Sequence, residues 1–214
     1  MKQEEKQRKL QKQNKLIGAV KKMLSNYTEV KSKSGHESLN TRDAAMIALC
    51  AAVMAVCSWI SIPAAVPFTM QTFGVFLAVG LLGGRNGTLA VLIYILLGAA
   101  GLPVFSGFTG GIGHLFGATG GYIIGFIFSA LLMWLVEALL GRSSKTLAAS
   151  MIAGLLICYA FGTAWFMVVY ARDSGSVGLI TALSWCVFPY IIPDALKILL
   201  AAGMTRRLRP LIMS

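Results

Sequence analysis

The chain has 214 residues, 57% of them hydrophobic and 13% charged, with a formal net charge of +11. Soluble domains carry about 25% charged residues, so this composition, with a mean hydropathy of +0.74, excludes a water-soluble globule. The charge is also uneven: residues 1–43 hold 11 Lys/Arg against 5 Asp/Glu, while residues 44–214 hold only 8 against 3.

Residues 1–43 read as a basic cytoplasmic N-terminal extension and not as a secretory signal, because a long polar stretch precedes the first apolar run. Nucleic-acid binding finds no aromatic or motif support in it; attraction to anionic lipid and a role in setting orientation account better for the charge. Leu16, Ile17, Val20, Met23, Leu24 and Tyr27 recur at helical spacing, with Lys15, Lys21 and Lys22 available for the opposite side. A helix lying on the membrane surface and a partly disordered basic tail both fit that pattern.

Six apolar runs follow, at 44–63, 68–83, 87–102, 119–140, 147–170 and 178–203, each read against the ~20 residues that cross a bilayer as a helix. The first opens on the capping residues Ser38, Asn40 and Thr41, with Asp43 where the helix dipole favours an anion. Ala44, Ala48 and Ala52 give it a stripe of small residues, with Ala51 and Ala55 beside them. Such a stripe lets helices approach closely, either inside the bundle or against another protein. The second and third runs are near 16 residues, short for a span.

The stretch 98–122 holds nine glycines and no Lys, Arg, Asp or Glu. It reads either as a lid folded over a pocket or as a tight hairpin packed through glycine; His114 within it has no assigned role. In the fourth run Glu137 lies close to the end and beside Arg142, which suits an interfacial position. Residues 141–146 end like a phosphate-binding loop but lack its earlier glycine, so the chain is not expected to hydrolyse ATP by itself. Cys50, Cys57, Cys158 and Cys186 form no CxxC and no cluster with histidine, which points to neither a disulfide framework nor a metal site.

In the sixth run, Asp194 and Lys197 sit at i, i+3 on one helix face just after Pro189 and Pro193. Ionisable groups at membrane depth default to a functional role, and interrupted helices are where transporters build ligand sites. The two could also simply neutralise each other. Sorting the remaining charges by loop places 17 basic residues on one side and only Arg172, next to Asp173, on the other. By the positive-inside rule this gives six spans with both termini cytoplasmic, a membrane body over 44–208 and a short tail over 209–214. The class is therefore an all-α integral membrane protein.

At these residues the chain resembles the BioY family, the biotin-binding S components of energy-coupling-factor (ECF) vitamin transporters. The resemblance is carried by Val66-Pro67-Phe68-Thr69-Met70-Gln71-Thr72-Phe73, Leu81-Leu82-Gly83-Gly84-Arg85-Asn86-Gly87, Gly101-Leu102-Pro103-Val104-Phe105, Gly110-Gly111, Thr119-Gly120-Gly121-Tyr122 and Pro189-Tyr190-Ile191-Ile192-Pro193-Asp194-Ala195-Leu196-Lys197. These pieces occur in the family's order across residues 42–208. The family pattern has a proline where this chain has Ala118, which implies a looser lid hinge.

The resemblance implies the six-helix S-component fold in a prokaryotic plasma membrane. It also implies a binding subunit, not an enzyme, that takes biotin from outside. Asp194 and Lys197 would hydrogen-bond the ureido ring, with Phe108, Thr109, Gly110, Gln71 and Tyr122 as further walls and polar contacts. Ala44, Ala48 and Ala52 would meet the transmembrane coupling subunit, and two ABC ATPases would supply the energy. No cofactor or metal is expected, biotin being the transported ligand. An S component for another vitamin and a structural subunit that binds nothing stand as the alternatives.

Overall fold

The computed structural model describes residues 40–63 and 66–212, together with scattered helical positions between Gln7 and Ser25. The rest of the basic extension, including most of the amphipathic pattern and the capping residue Ser38, lies outside the described residues. Ile17 and Val20 are exposed.

Helix α1 (Thr41–Trp59) begins at Asn40, whose backbone is extended but whose side chain makes no capping bond; Asp43 does occupy the first turn. The apolar run 44–63 is helical only to Trp59. Pro63 and Pro67 remove two backbone donors and push the residues before them towards extended backbone. A short antiparallel ribbon forms instead, β1 (Ser61–Ile62) with β2 (Phe68–Thr69), Ile62 facing Phe68 and Ser61 facing Thr69.

Helix α2 (Gln71–Leu82) follows, apolar around its whole circumference and buried along almost all of its 12 residues. Such a pattern marks the centre of a bundle. At 1.5 Å per residue it reaches only about 18 Å, well short of ~30 Å of hydrocarbon; its neighbours shelter it. Helix α3 (Gly84–Ala99) is also short, with 16 residues. A loop holding a 3-10 turn (Ser106–Phe108) and a small helix α4 (Ile112–Phe116) leads to α5 (Gly120–Leu140).

Helix α6 (Ser144–Ser174) has 31 residues, extending the apolar run 147–170 at both ends. It packs closely on α5, because Gly121 and Gly162 leave room for Trp165 and Tyr122; a Cβ at Gly162 would stand 2.3 Å from the Tyr122 ring. The last apolar run is a broken helix: α7 (Leu179–Cys186), a 3-10 turn (Phe188–Tyr190) and α8 (Ile191–Ile212). Val187, at φ −129° and ψ −55°, marks the break just before Pro189.

Among the described residues, four helical stretches are long and apolar enough to cross a membrane, counting Leu179–Ile212 as one, with α2 and α3 as shorter apolar helices. The main core gathers Met54, Phe76, Tyr94, Phe126, Met133 and Met151. The four cysteines are buried and free, and they pack as small hydrophobes. Large apolar side chains such as Leu135, Leu156 and Leu199 point outward, as a lipid-facing surface requires.

Candidate functional site

The break in the last span sets up the site. It allows α8 to restart at Ile191, so Asp194 falls in the first turn and Lys197 one turn on. Each is 4% exposed. Lys197 Nζ lies 2.6 Å from Asp194 Oδ1, donates to the Thr69 carbonyl at 2.7 Å and sits 4.0 Å from the centre of the Phe68 ring. The Tyr159 hydroxyl donates to Asp194 Oδ2. The ribbon thus supplies one wall, and α6 supplies the other through Tyr159.

Capacity remains at both groups. A carboxylate offers about four lone-pair sites and an ammonium three donors; the bonds above use two of the former and two of the latter. The pair borders a narrow cavity of about 70 Å³ that also takes in Gln71, His114, Tyr122 and Tyr190. Gln71 is 5% exposed, and its Nε2 donates to the Tyr94 hydroxyl at 2.5 Å. That hydroxyl donates onward to the Val104 carbonyl at 3.0 Å. Tyr122 shares a 3.0 Å bond with Thr163.

The structure therefore brings Asp194, Lys197, Gln71 and Tyr122 to one cavity. Phe108, Thr109 and Gly110 stand outside its lining, in the loop above. Phe108 is 63% exposed, holds a positive φ of 58° and stacks on Trp59 at 5.0 Å. Thr109 donates to the Ser106 carbonyl at 2.9 Å, and Gly110 sits so close to the Leu102 carbonyl that a Cβ would come within 2.2 Å of its oxygen. The stretch is a folded cover, pinned by Phe105, whose amide donates to Thr109 at 2.9 Å and whose ring is fully buried.

The sequence alone assigns no site role to Tyr159, Phe68 or His114. Tyr159 carries a hydroxyl in an apolar span, which was the available signal. Phe68 and Thr69 belong to a ribbon that its short strands do not announce. The His114 ring stacks on Phe105 at 5.3 Å, with Nδ1 3.3 Å from Thr109 Oγ1 and Nε2 buried without a partner among the described residues. Burial holds this imidazole below the ordinary histidine range. Ala44, Ala48 and Ala52 are exposed on α1, while Ala51 and Ala55 are buried, so the two small-residue rows face opposite ways.

The BioY family profile matches residues 29–214. The chain belongs to the BioY family. A biotin transporter BioY of Thermotoga maritima is 43% identical over 75% of this chain and 91% of its own length. A probable biotin transporter BioY of Pyrococcus horikoshii is 39% identical over 80% of this chain and 98% of its own. Among solved structures, the S-component for biotin from an ECF-type ABC transporter superposes with a TM-score of 0.70 at 26% identity, covering 78% of this chain and 90% of that one. BioY proteins are membrane transport proteins, and the helices of this chain suit that setting.

Proposed function

We propose that this chain is the substrate-binding S component of an ECF-type importer and that it captures biotin in the cavity beside Asp194 and Lys197. The observation that carries the reading is the buried pair itself, with hydrogen-bonding capacity left on each partner. A ureido ring presents two N–H donors and one strongly accepting carbonyl, which a carboxylate and an ammonium complement. A vitamin without that group would leave the pair's remaining capacity unmet in a dry site, a penalty that gives selectivity.

The cavity is smaller than the roughly 300–1,000 Å³ typical of small-molecule pockets, so capture requires the 98–119 loop or the ribbon to move outward. Six spans with both termini cytoplasmic fit the geometry. Arg42 at the start of α1 donates to the carbonyl of Ile212 at the end of α8, and the α2–α3 and α5–α6 turns meet at the same end through Arg142 and Gly83. Transport would draw on a coupling subunit and two ATPases, with the exposed Ala44, Ala48 and Ala52 row as the contact for the former.

A titration of the purified full-length chain with biotin and desthiobiotin, without nucleotide or metal, tests the reading. The expected outcome is saturable binding of one ligand per chain. Binding of thiamine, riboflavin or folate in place of biotin would move the assignment to another vitamin, and binding of none would leave a structural subunit.

A further inference from the structure

At the opposite end from the biotin cavity, a cleft of about 540 Å³ opens between α2, α5, α6 and α8, bordered by Arg142, Arg206 and Arg209. Arg206 and Arg209 share a face of α8 at i, i+3, and Arg142 comes from the α5–α6 turn. Among the described residues one carboxylate borders the cleft with these three cations, Glu137, and both its oxygens are engaged. Oε1 meets Arg142 Nε at 2.8 Å and Oε2 accepts from the Gly84 amide at 2.9 Å. Among the described residues, Arg206 and Arg209 have neither an ion pair nor a hydrogen bond. Burial pushes Arg142 below the ordinary arginine range, Glu137 opposes this, and the neighbouring Arg209 charge adds to it.

Two further features point to an anion. The first turn of α6 opens here: the Thr146 amide is taken by Ser143 Oγ at 3.1 Å and the Leu147 amide by the Ser143 carbonyl. The amides of Ser144 and Lys145 fall among the orphan donors that every helix N-terminus carries. Thr205, 2% exposed, also borders the cleft, its hydroxyl packed against Gly80 and without a hydrogen-bond partner among the described residues. The rest of the lining is mixed: Ser143, Ser144, Thr146 and Ser150 are polar, and Val79, Met133 and Leu147 form an apolar floor. A soluble anion would gain nothing from that floor, whereas a glycerolipid brings a phosphate and apolar chain together.

We propose that this cleft binds the phosphate headgroup of an anionic membrane lipid, with Arg206, Arg209 and the free edge of Arg142 holding the phosphate and the apolar floor receiving the start of an acyl chain. The position agrees with the basic end of the molecule, where anionic headgroups meet clustered arginines. Lipid occupancy there would clamp α8 to the α5–α6 turn.

The test is native mass spectrometry of the delipidated full-length chain in mild detergent, titrated with phosphatidylglycerol or phosphatidylcholine of identical chains. Phosphatidylglycerol should be retained on the order of tenfold more tightly. The double variant Arg206→Gln/Arg209→Gln should lose that preference while its retention of phosphatidylcholine stays the same. Equal retention of the two lipids, or an unchanged preference in the double variant, overturns the proposal. So does displacement of phosphatidylglycerol by submillimolar inorganic phosphate, which would make the ligand a soluble anion.

Discussion

Replacing Asp194 by asparagine removes the one negative charge beside the buried Lys197 ammonium among the described residues and leaves it only neutral acceptors, the Thr69 carbonyl and the amide oxygen, with the Phe68 ring. Removing one partner of a buried pair costs about 3–5 kcal/mol, so Asp194→Asn should lower the melting temperature in detergent by roughly ten degrees and abolish biotin capture. The double variant Asp194→Leu/Lys197→Met should recover much of that stability and still bind no biotin. Calorimetry with a biotin titration on both proteins separates stability from recognition; biotin binding by the double variant would contradict the assigned site. His114 gives a second residue-level prediction, with the sign fixed by its depressed pKa. Unfolded histidine titrates near 6.5, so above that pH neither state binds the proton. As pH falls through about 6.5 the unfolded chain takes it up more readily and stability declines. His114→Gln should therefore gain on the wild type in melting temperature between about pH 7.5 and 5.5. A difference constant across that range would show that the ring is not held neutral by burial.

Helix existence was legible wherever an apolar run was long. The runs 119–140 and 147–170 became α5 and α6, because nothing in them interrupts a helix. Helix boundaries fall where proline acts, inside apolar runs whose composition alone does not mark them. Pro63 and Pro67 end α1 early and impose the ribbon, while the prolines of the last run divide it into α7 and α8. The Asp194–Lys197 pair could be seen because charge at membrane depth is conspicuous. Its partners could not: Thr69 contributes a backbone carbonyl, and Tyr159 reaches Asp194 across 35 positions of sequence. The α5–α6 contact offers a test at this scale. Leucine at Gly162 must displace the Tyr122 ring, whose nearest atom lies 2.3 Å from the added Cβ. Overpacking of this kind costs about 1–3 kcal/mol. Gly162→Leu should therefore lower the melting temperature and weaken biotin binding through Tyr122. Gly203→Ala, in the middle of α8 with open space around it, should be neutral or slightly stabilising.

The whole molecule has two working ends and one outward row that neither end uses. The proposed biotin cavity lies under the glycine-rich cover and the arginine cleft at the opposite end, with the buried α2 between them. On α1, Ala44, Ala48 and Ala52 are exposed beside Leu49 and Val56, which are 56% and 52% exposed. Lipid has no preference for alanine over leucine, so small residues repeated every four positions on an outward face gain nothing from acyl chains. They gain by letting another helix approach closely. Ala48→Leu changes that face without touching the core, since Ile47 and Ala51 carry the inward packing. The variant should fold and capture biotin like the wild type, yet fail to co-purify with the transmembrane coupling subunit and fail to support ATP-dependent uptake in reconstituted vesicles. Smaller substitutions grade the effect: Ala48→Ser should retain assembly, because serine still permits close approach. Loss of assembly with leucine, retention with serine and unchanged biotin binding in both would assign the row to the partner. Intact assembly in Ala48→Leu would place the coupling subunit on another face.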